Sequence, residues 1–107
     1  MDVESLIKKQ IDENAVLLYM KGTPQFPQCG FSARTVGALV QIGEPCAYVN
    51  ILEHPGIRAT LPKIANWPTF PQLWIKGELI GGCDIVLEMT QKGELAPLVK
   101  EAAQKTA

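Results

Sequence analysis

Residues 15–32 read AVLLYMKGTPQFPQCGFS, and three changes of texture along that stretch organise the chain around it. The apolar run from Ala15 to Met20 reads as a buried strand. The next eight residues, KGTPQFPQ, contain Gly22, Pro24 and Pro27, and such a segment can only be a loop. From Cys29 the pattern becomes helical, with Ala33, Val36 and Val40 on one face and Gly43 as its stop. A cysteine thus stands where loop gives way to helix. Thiol chemistry in such a place often uses Cys-x-x-Cys, one sulfur to attack and one to resolve. Here Ser32 occupies the second position.

Working outward, Val3, Leu6, Ile7 and Ile11 recur at helical spacing and predict an amphipathic helix over 3–13. CAYVNI (46–51) alternates like a strand. In HPGIRATLPKIAN (54–66), Pro55 suits a first helical turn, whereas Pro62 is expected to break the helix into two short pieces. FPQLWI (70–75) and ELIG (78–81) read as strands joined by the tight turn Lys76-Gly77, hence an antiparallel hairpin. Val86 and Met89 mark a helix from about Asp84 to Lys92, stopped by Gly93. Leu95, Leu98, Val99 and Ala102 mark a last one. Repeats, low-complexity tracts and linkers are absent. The first two strands, separated by a helix, should pair in parallel through a right-handed crossover. The expected architecture is α/β: a small four-stranded mixed sheet flanked by helices, the thioredoxin-like arrangement.

The 107 residues are 47% apolar with a formal charge of -1, which suits one domain spanning 1–107. That balance offers no basic field for nucleic acid and no polybasic membrane patch. The longest apolar run, Ala15–Met20, is far short of a bilayer span. The start, MDVESLIKKQID, lacks the apolar centre of a signal peptide. A reducing compartment, expected to be the cytoplasm, and three free cysteines follow. Cys29, Cys46 and Cys83 match no zinc spacing, and only His54 could add an imidazole, so no single-chain zinc site is expected.

Three clusters carry chemical meaning. Cys29 lies at a helix start, where unpaired backbone N–H groups favour an anion and can lower a thiol pKa, and Lys21 adds positive charge across the loop. The bland alternative is a buried apolar cysteine. Next, WPTFPQLW (67–74) places Pro71 just before a strand that reads as central, where proline is normally excluded. A cis Phe70–Pro71 bond would expose backbone groups to an extended peptide, and an ordinary trans proline at a strand start is the other reading. Finally, in GGCD (81–84) two glycines permit close approach. Asp84 at a helix start is a simple cap or a carboxylate for an ammonium group. Cys83 and Cys46 read as small core residues, and His54 has no assigned role.

Together CGFS, WPTFPQLW and GGCDI resemble the monothiol glutaredoxins, the branch with one active-site cysteine, in its short single-domain bacterial form. The resemblance runs from Y-x-K-G to the helix beyond GGCDI. It implies a glutathione site in which Lys21 and Arg58 hold carboxylates and Asp84 faces the γ-glutamyl end. The backbone of Thr69 and Phe70, before Pro71, would meet the cysteinyl part, with Gly82 and Cys83 beside it. Gly30 and Phe31 would flank the sulfur. An anionic tripeptide suits two cations, an acid and an open strand edge.

The resemblance also implies two uses for a lone thiolate. A 2Fe–2S cluster commonly takes four ligands, usually thiolates. One chain supplies Cys29 alone, so the count closes in a homodimer with two bound glutathiones. The favoured expectation is therefore a cluster carrier, delivering to apo iron–sulfur proteins or sharing the cluster with a BolA-like partner. The runner-up is a glutathione-dependent thiol oxidoreductase working through Cys29, and a third possibility is a protein-binding adaptor.

Overall fold

Strand β1 (Val16–Met20) is buried along its whole length because it feeds two cores at once. Val16, Leu18 and Met20 join one apolar cluster, while Leu17 and Tyr19 join another. This is the two-residue alternation of a strand with both faces covered. The structure, a computed structural model, describes residues 2–105.

The sheet runs in the order β2-β1-β3-β4, with β2 at Ala47–Asn50, β3 at Gln72–Ile75 and β4 at Glu78–Gly81. Strands β1 and β2 pair in parallel across helix α2 (Gly30–Ile42). Strand β3 is antiparallel to both β1 and β4. The β3–β4 turn places Lys76 and Gly77 at φ 52° and 79°, the left-handed pair that matches the twist of a tight hairpin. The four-stranded mixed sheet flanked by helices is the expected thioredoxin-like fold.

Helix α1 (Val3–Glu13) is capped by Asp2, whose Oδ1 accepts the Ser5 N–H at 2.7 Å. Its Ile7 and Ile11 share one core with Ile57 and Leu61 of α3 (Pro55–Ala65). On the opposite face, Val36 and Leu39 of α2 meet Val86 of α4 (Cys83–Gln91) and Leu95 and Val99 of α5 (Leu95–Lys105). Among the described residues no helix is long and apolar enough to cross a membrane.

Two sequence expectations are corrected. Pro62 does not divide α3, which runs unbroken from Pro55 to Ala65. Proline withholds one N–H from the Arg58 carbonyl and crowds it, a cost of about 3 kcal/mol in a helix interior. Burial of Ile57 and Leu61 at 2% and 0% exposure is worth about 1.5–3 kcal/mol each and favours the continuous helix. Its end is then set by Asn66 in the left-handed conformation. In α2 the inward stripe is Ser32, Thr35, Val36 and Leu39, while Ala33 and Val40 face solvent. The two hydroxyls are tolerated inside because both are hydrogen-bonded, Thr35 Oγ1 to the Phe31 carbonyl at 2.9 Å and Ser32 as described below.

Pro62→Ala should raise stability by about 1–3 kcal/mol by restoring the missing helical hydrogen bond. Urea unfolding monitored by circular dichroism would show this as a higher midpoint at unchanged slope.

Candidate functional site

The loop after β1 is a closed hairpin. Gly22 adopts φ +94°, and a Cβ there would lie 2.5 Å from the Phe26 carbonyl oxygen, so only glycine fits. The Gly22 N–H donates to Asn50 Oδ1 at 2.9 Å, anchoring the loop to the end of β2. Gln28 N–H donates to the Lys21 carbonyl at 2.9 Å, and Thr23 and Phe26 exchange backbone bonds of 3.1 and 3.2 Å. The loop therefore delivers Cys29 to a fixed point, the N-cap of α2.

Cys29 is half-buried and its side chain makes no cap bond. Its thiol titrates below the ordinary range, chiefly because the Ser32 backbone N–H points at the sulfur. Partial burial opposes this, and the Phe31 N–H, the Lys21 charge and the Ser32 hydroxyl favour the thiolate. Ser32 itself is fully buried, and its Oγ accepts the Lys21 N–H at 3.1 Å. The position that a resolving sulfur would take is thus part of the strand-to-helix joint. Cys46, half-buried just before β2, goes the other way, its thiol pushed up by burial.

Beside Cys29 lies a cavity of about 780 Å³. Lys21, Phe31 and Arg58 line it with Cys29. Thr69, Phe70 and Pro71 form another part of its wall, and the Phe70–Pro71 peptide is cis. Gly82, Cys83 and Asp84 complete it. Of the residues that the resemblance assigned to a glutathione site, Gly30 alone is off the lining, exposed as the first residue of α2. Cys83 is buried, as expected. Asp84 is not a cap: Gly82 holds the N-cap of α4, and the exposed Asp84 carboxylate sits in its first turn.

Trp67, Pro68, Pro62 and Ile85, to none of which the sequence reading gave a place in the site, also line the cavity. Pro62 follows Arg58 by four residues on α3, so the two share a helix face. Trp67 directly precedes the T-F-P turn. Its Nε1 is buried without a hydrogen-bond partner. A Cβ on Gly82 would approach Trp67 Nε1 to 3.5 Å and the Pro71 carbonyl to 3.3 Å, so glycine lets these walls meet. Two cations, a carboxylate and loop backbone border a single space. This donor set suits an anionic peptide. Among the described residues no three of His, Cys, Asp or Glu come together as a metal site.

Because the thiolate is the reactive species, a lowered pKa shifts reactivity to lower pH. Alkylation of Cys29 by iodoacetamide should therefore titrate with a midpoint below the roughly 8.5 of a free thiol. Lys21→Gln should move that midpoint upward, while Cys46 reacts slowly and only at higher pH. Peptide mass spectrometry across a pH series would separate the two cysteines.

Residues 16–80 match the glutaredoxin family. The chain is 65% identical over 105 residues to Glutaredoxin 4 of Haemophilus ducreyi, covering 98% of each protein. To Glutaredoxin 4 of Escherichia coli strain K12 it is 66% identical over 99 residues, covering 92% of this chain and 86% of the relative. Among solved structures it is similar to reduced poplar apo GrxS14, at 45% identity and a TM-score of 0.80, covering 94% and 92%. It is also similar to buckwheat glutaredoxin in its glutathione complex, at 25% identity and a TM-score of 0.80, covering 92% and 87%. With Cys29 at the head of α2 and Ser32 in the second position, the chain belongs to the glutaredoxin family as a monothiol member.

Proposed function

We propose that the chain, working over residues 1–107 as one glutaredoxin domain in a reducing cytoplasm, binds glutathione beside Cys29. Two such chains with two glutathiones then carry a bridging 2Fe–2S cluster to apo iron–sulfur proteins or share it with a BolA-like partner. The observation that carries this reading is the placement of one thiol of lowered pKa at a helix N-terminus, on the rim of a cavity bearing Lys21 and Arg58.

Glutathione fits the donors present. Lys21 and Arg58 would hold its carboxylates, and Asp84 would take its ammonium group. The Thr69 and Phe70 backbone would pair with its central residue, flanked by Gly82 and Cys83, with Gly30 and Phe31 beside the sulfur. The cluster is cargo, and its ligand count favours an assembly. Each chain offers one half-buried thiol of lowered pKa, Cys29, because Cys83 is buried and Cys46 lies outside the cavity lining. Four soft donors are then reached with two chains and two glutathione thiolates. Small exchangeable ligands would also let the cargo leave more easily than four protein thiolates would.

The accessibility of Cys29 favours a second reading, glutathione-dependent disulfide exchange. The Cys29 thiolate would attack the glutathione sulfur of a mixed disulfide, and the freed protein thiolate would take up a proton. Glutathione would remain on Cys29 until the thiolate of a second glutathione attacked its sulfur, releasing oxidised glutathione. No resolving protein thiol is required.

Anaerobic reconstitution with iron, sulfide and glutathione separates the readings. The carrier should give a coloured dimer with one cluster and two glutathiones, lost in Cys29→Ser. A colourless monomer that turns over glutathionylated substrate would favour the exchange enzyme, and partner binding without either would favour an adaptor. Arg58→Gln should weaken glutathione binding about tenfold in calorimetric titration. Added salt should shrink that difference, since Arg58 is exposed and its charge is screened.

A further inference from the structure

We infer that Gln72 is a positioning residue for glutathione, a reading that rests on the proposed ligand: its side chain fixes the cavity wall formed by residues 67–70. Gln72 begins β3 and is fully buried, one of three buried polar side chains in the described structure. It does not line the cavity. A buried carboxamide is costly unless its donors and acceptor are matched.

The matching here has a direction. Trp74, two residues along on the same face of β3, donates its indole N–H to Gln72 Oε1 at 3.2 Å. Indole nitrogen can only donate, so this contact fixes which end of the amide is oxygen. Nε2 must then point the other way, where it donates to the Trp67 carbonyl at 3.0 Å and the Thr69 carbonyl at 3.2 Å. Both carbonyls lie in the segment between α3 and β3, outside regular structure, and Trp67, Thr69 and Phe70 line the cavity. A chain of donors thus runs from the core, through Gln72, to the backbone of the binding wall. An apolar side chain of similar size would fill the space but leave the Trp67 and Thr69 carbonyls and the Trp74 indole N–H without this partner. The amide instead selects one conformation for a loop with no ladder to hold it. Ordering that wall before the ligand arrives reduces the entropy lost on binding.

Gln72→Met keeps chain length and removes the donors, and Trp74→Phe removes the N–H that orients the amide while keeping an aromatic ring in the core. Calorimetric titration with reduced glutathione should show about tenfold weaker binding for Gln72→Met and about threefold for Trp74→Phe, a residue also off the cavity. The iodoacetamide rate at Cys29, which needs no glutathione, should stay within about twofold in both, because α2 is untouched. Glutathione affinity unchanged in Trp74→Phe and in folded Gln72→Met, whatever the loss in melting temperature, would reduce Gln72 to a structural role and overturn the inference. If Gln72→Met does not fold, the Trp74→Phe titration decides alone. Failure of the unsubstituted protein to bind glutathione would instead remove the ligand reading itself, and this inference with it.

Discussion

The hydrogen bond from the Lys21 N–H to Ser32 Oγ, 3.1 Å long, closes the joint between the central strand and the helix that carries the thiol. Lys21 is the first residue past β1, and its amide has no further strand partner to continue toward. Ser32 lies on the buried stripe of α2, so its hydroxyl needs a partner where water cannot reach. Each group answers the other's need. A sulfur at position 32 would accept that N–H poorly. Serine here serves the joint as well as withholding a second redox centre, and the intervening hairpin then has one way to present Cys29.

That joint also decides the thiol's electrostatics. Backbone N–H groups at the start of α2, those of Ser32 and Phe31, favour the thiolate in a site partly shielded from water. Lys21 contributes through charge alone, from a partly exposed position where solvent weakens it. The helix terminus therefore outweighs the cation. Cys46 shows the converse: burial without such donors makes the same side chain a poorer nucleophile.

The elements were legible where physics is local. A continuous apolar run flanked by loop residues specified a strand covered on both faces, and Lys76-Gly77 specified the β3–β4 hairpin. Pro62 misled because the burial that keeps α3 whole is set by α1 and the sheet, which no local window contains. The inward face of α2 misled for a related reason: Ser32 and Thr35 look like surface residues until their distant or backbone partners are known. Cys29 was readable from its position. Lys21 and Arg58 were ordinary surface charges by sequence, singled out only through family resemblance. Trp67 and Gln72 stood inside the motif WPTFPQLW, but nothing local gave either side chain a role of its own, and Gln72 was indistinguishable from any polar strand residue.

The two walls of the site share one origin. Gln72 pairs with Tyr19 in the β1–β3 ladder. Two residues beyond Tyr19 the chain reaches Lys21 and its bond to Ser32; one residue before Gln72 it reaches Pro71 and the loop that Gln72 clamps. The sulfur and the backbone of the cavity wall are therefore each tied to the central strands within a few residues of the same ladder rung. Backbone ladders in a buried sheet deform little, because every shift breaks paired groups that have no water to replace them. The spacing between thiolate and wall is consequently set from the sheet, through the two loops anchored to it.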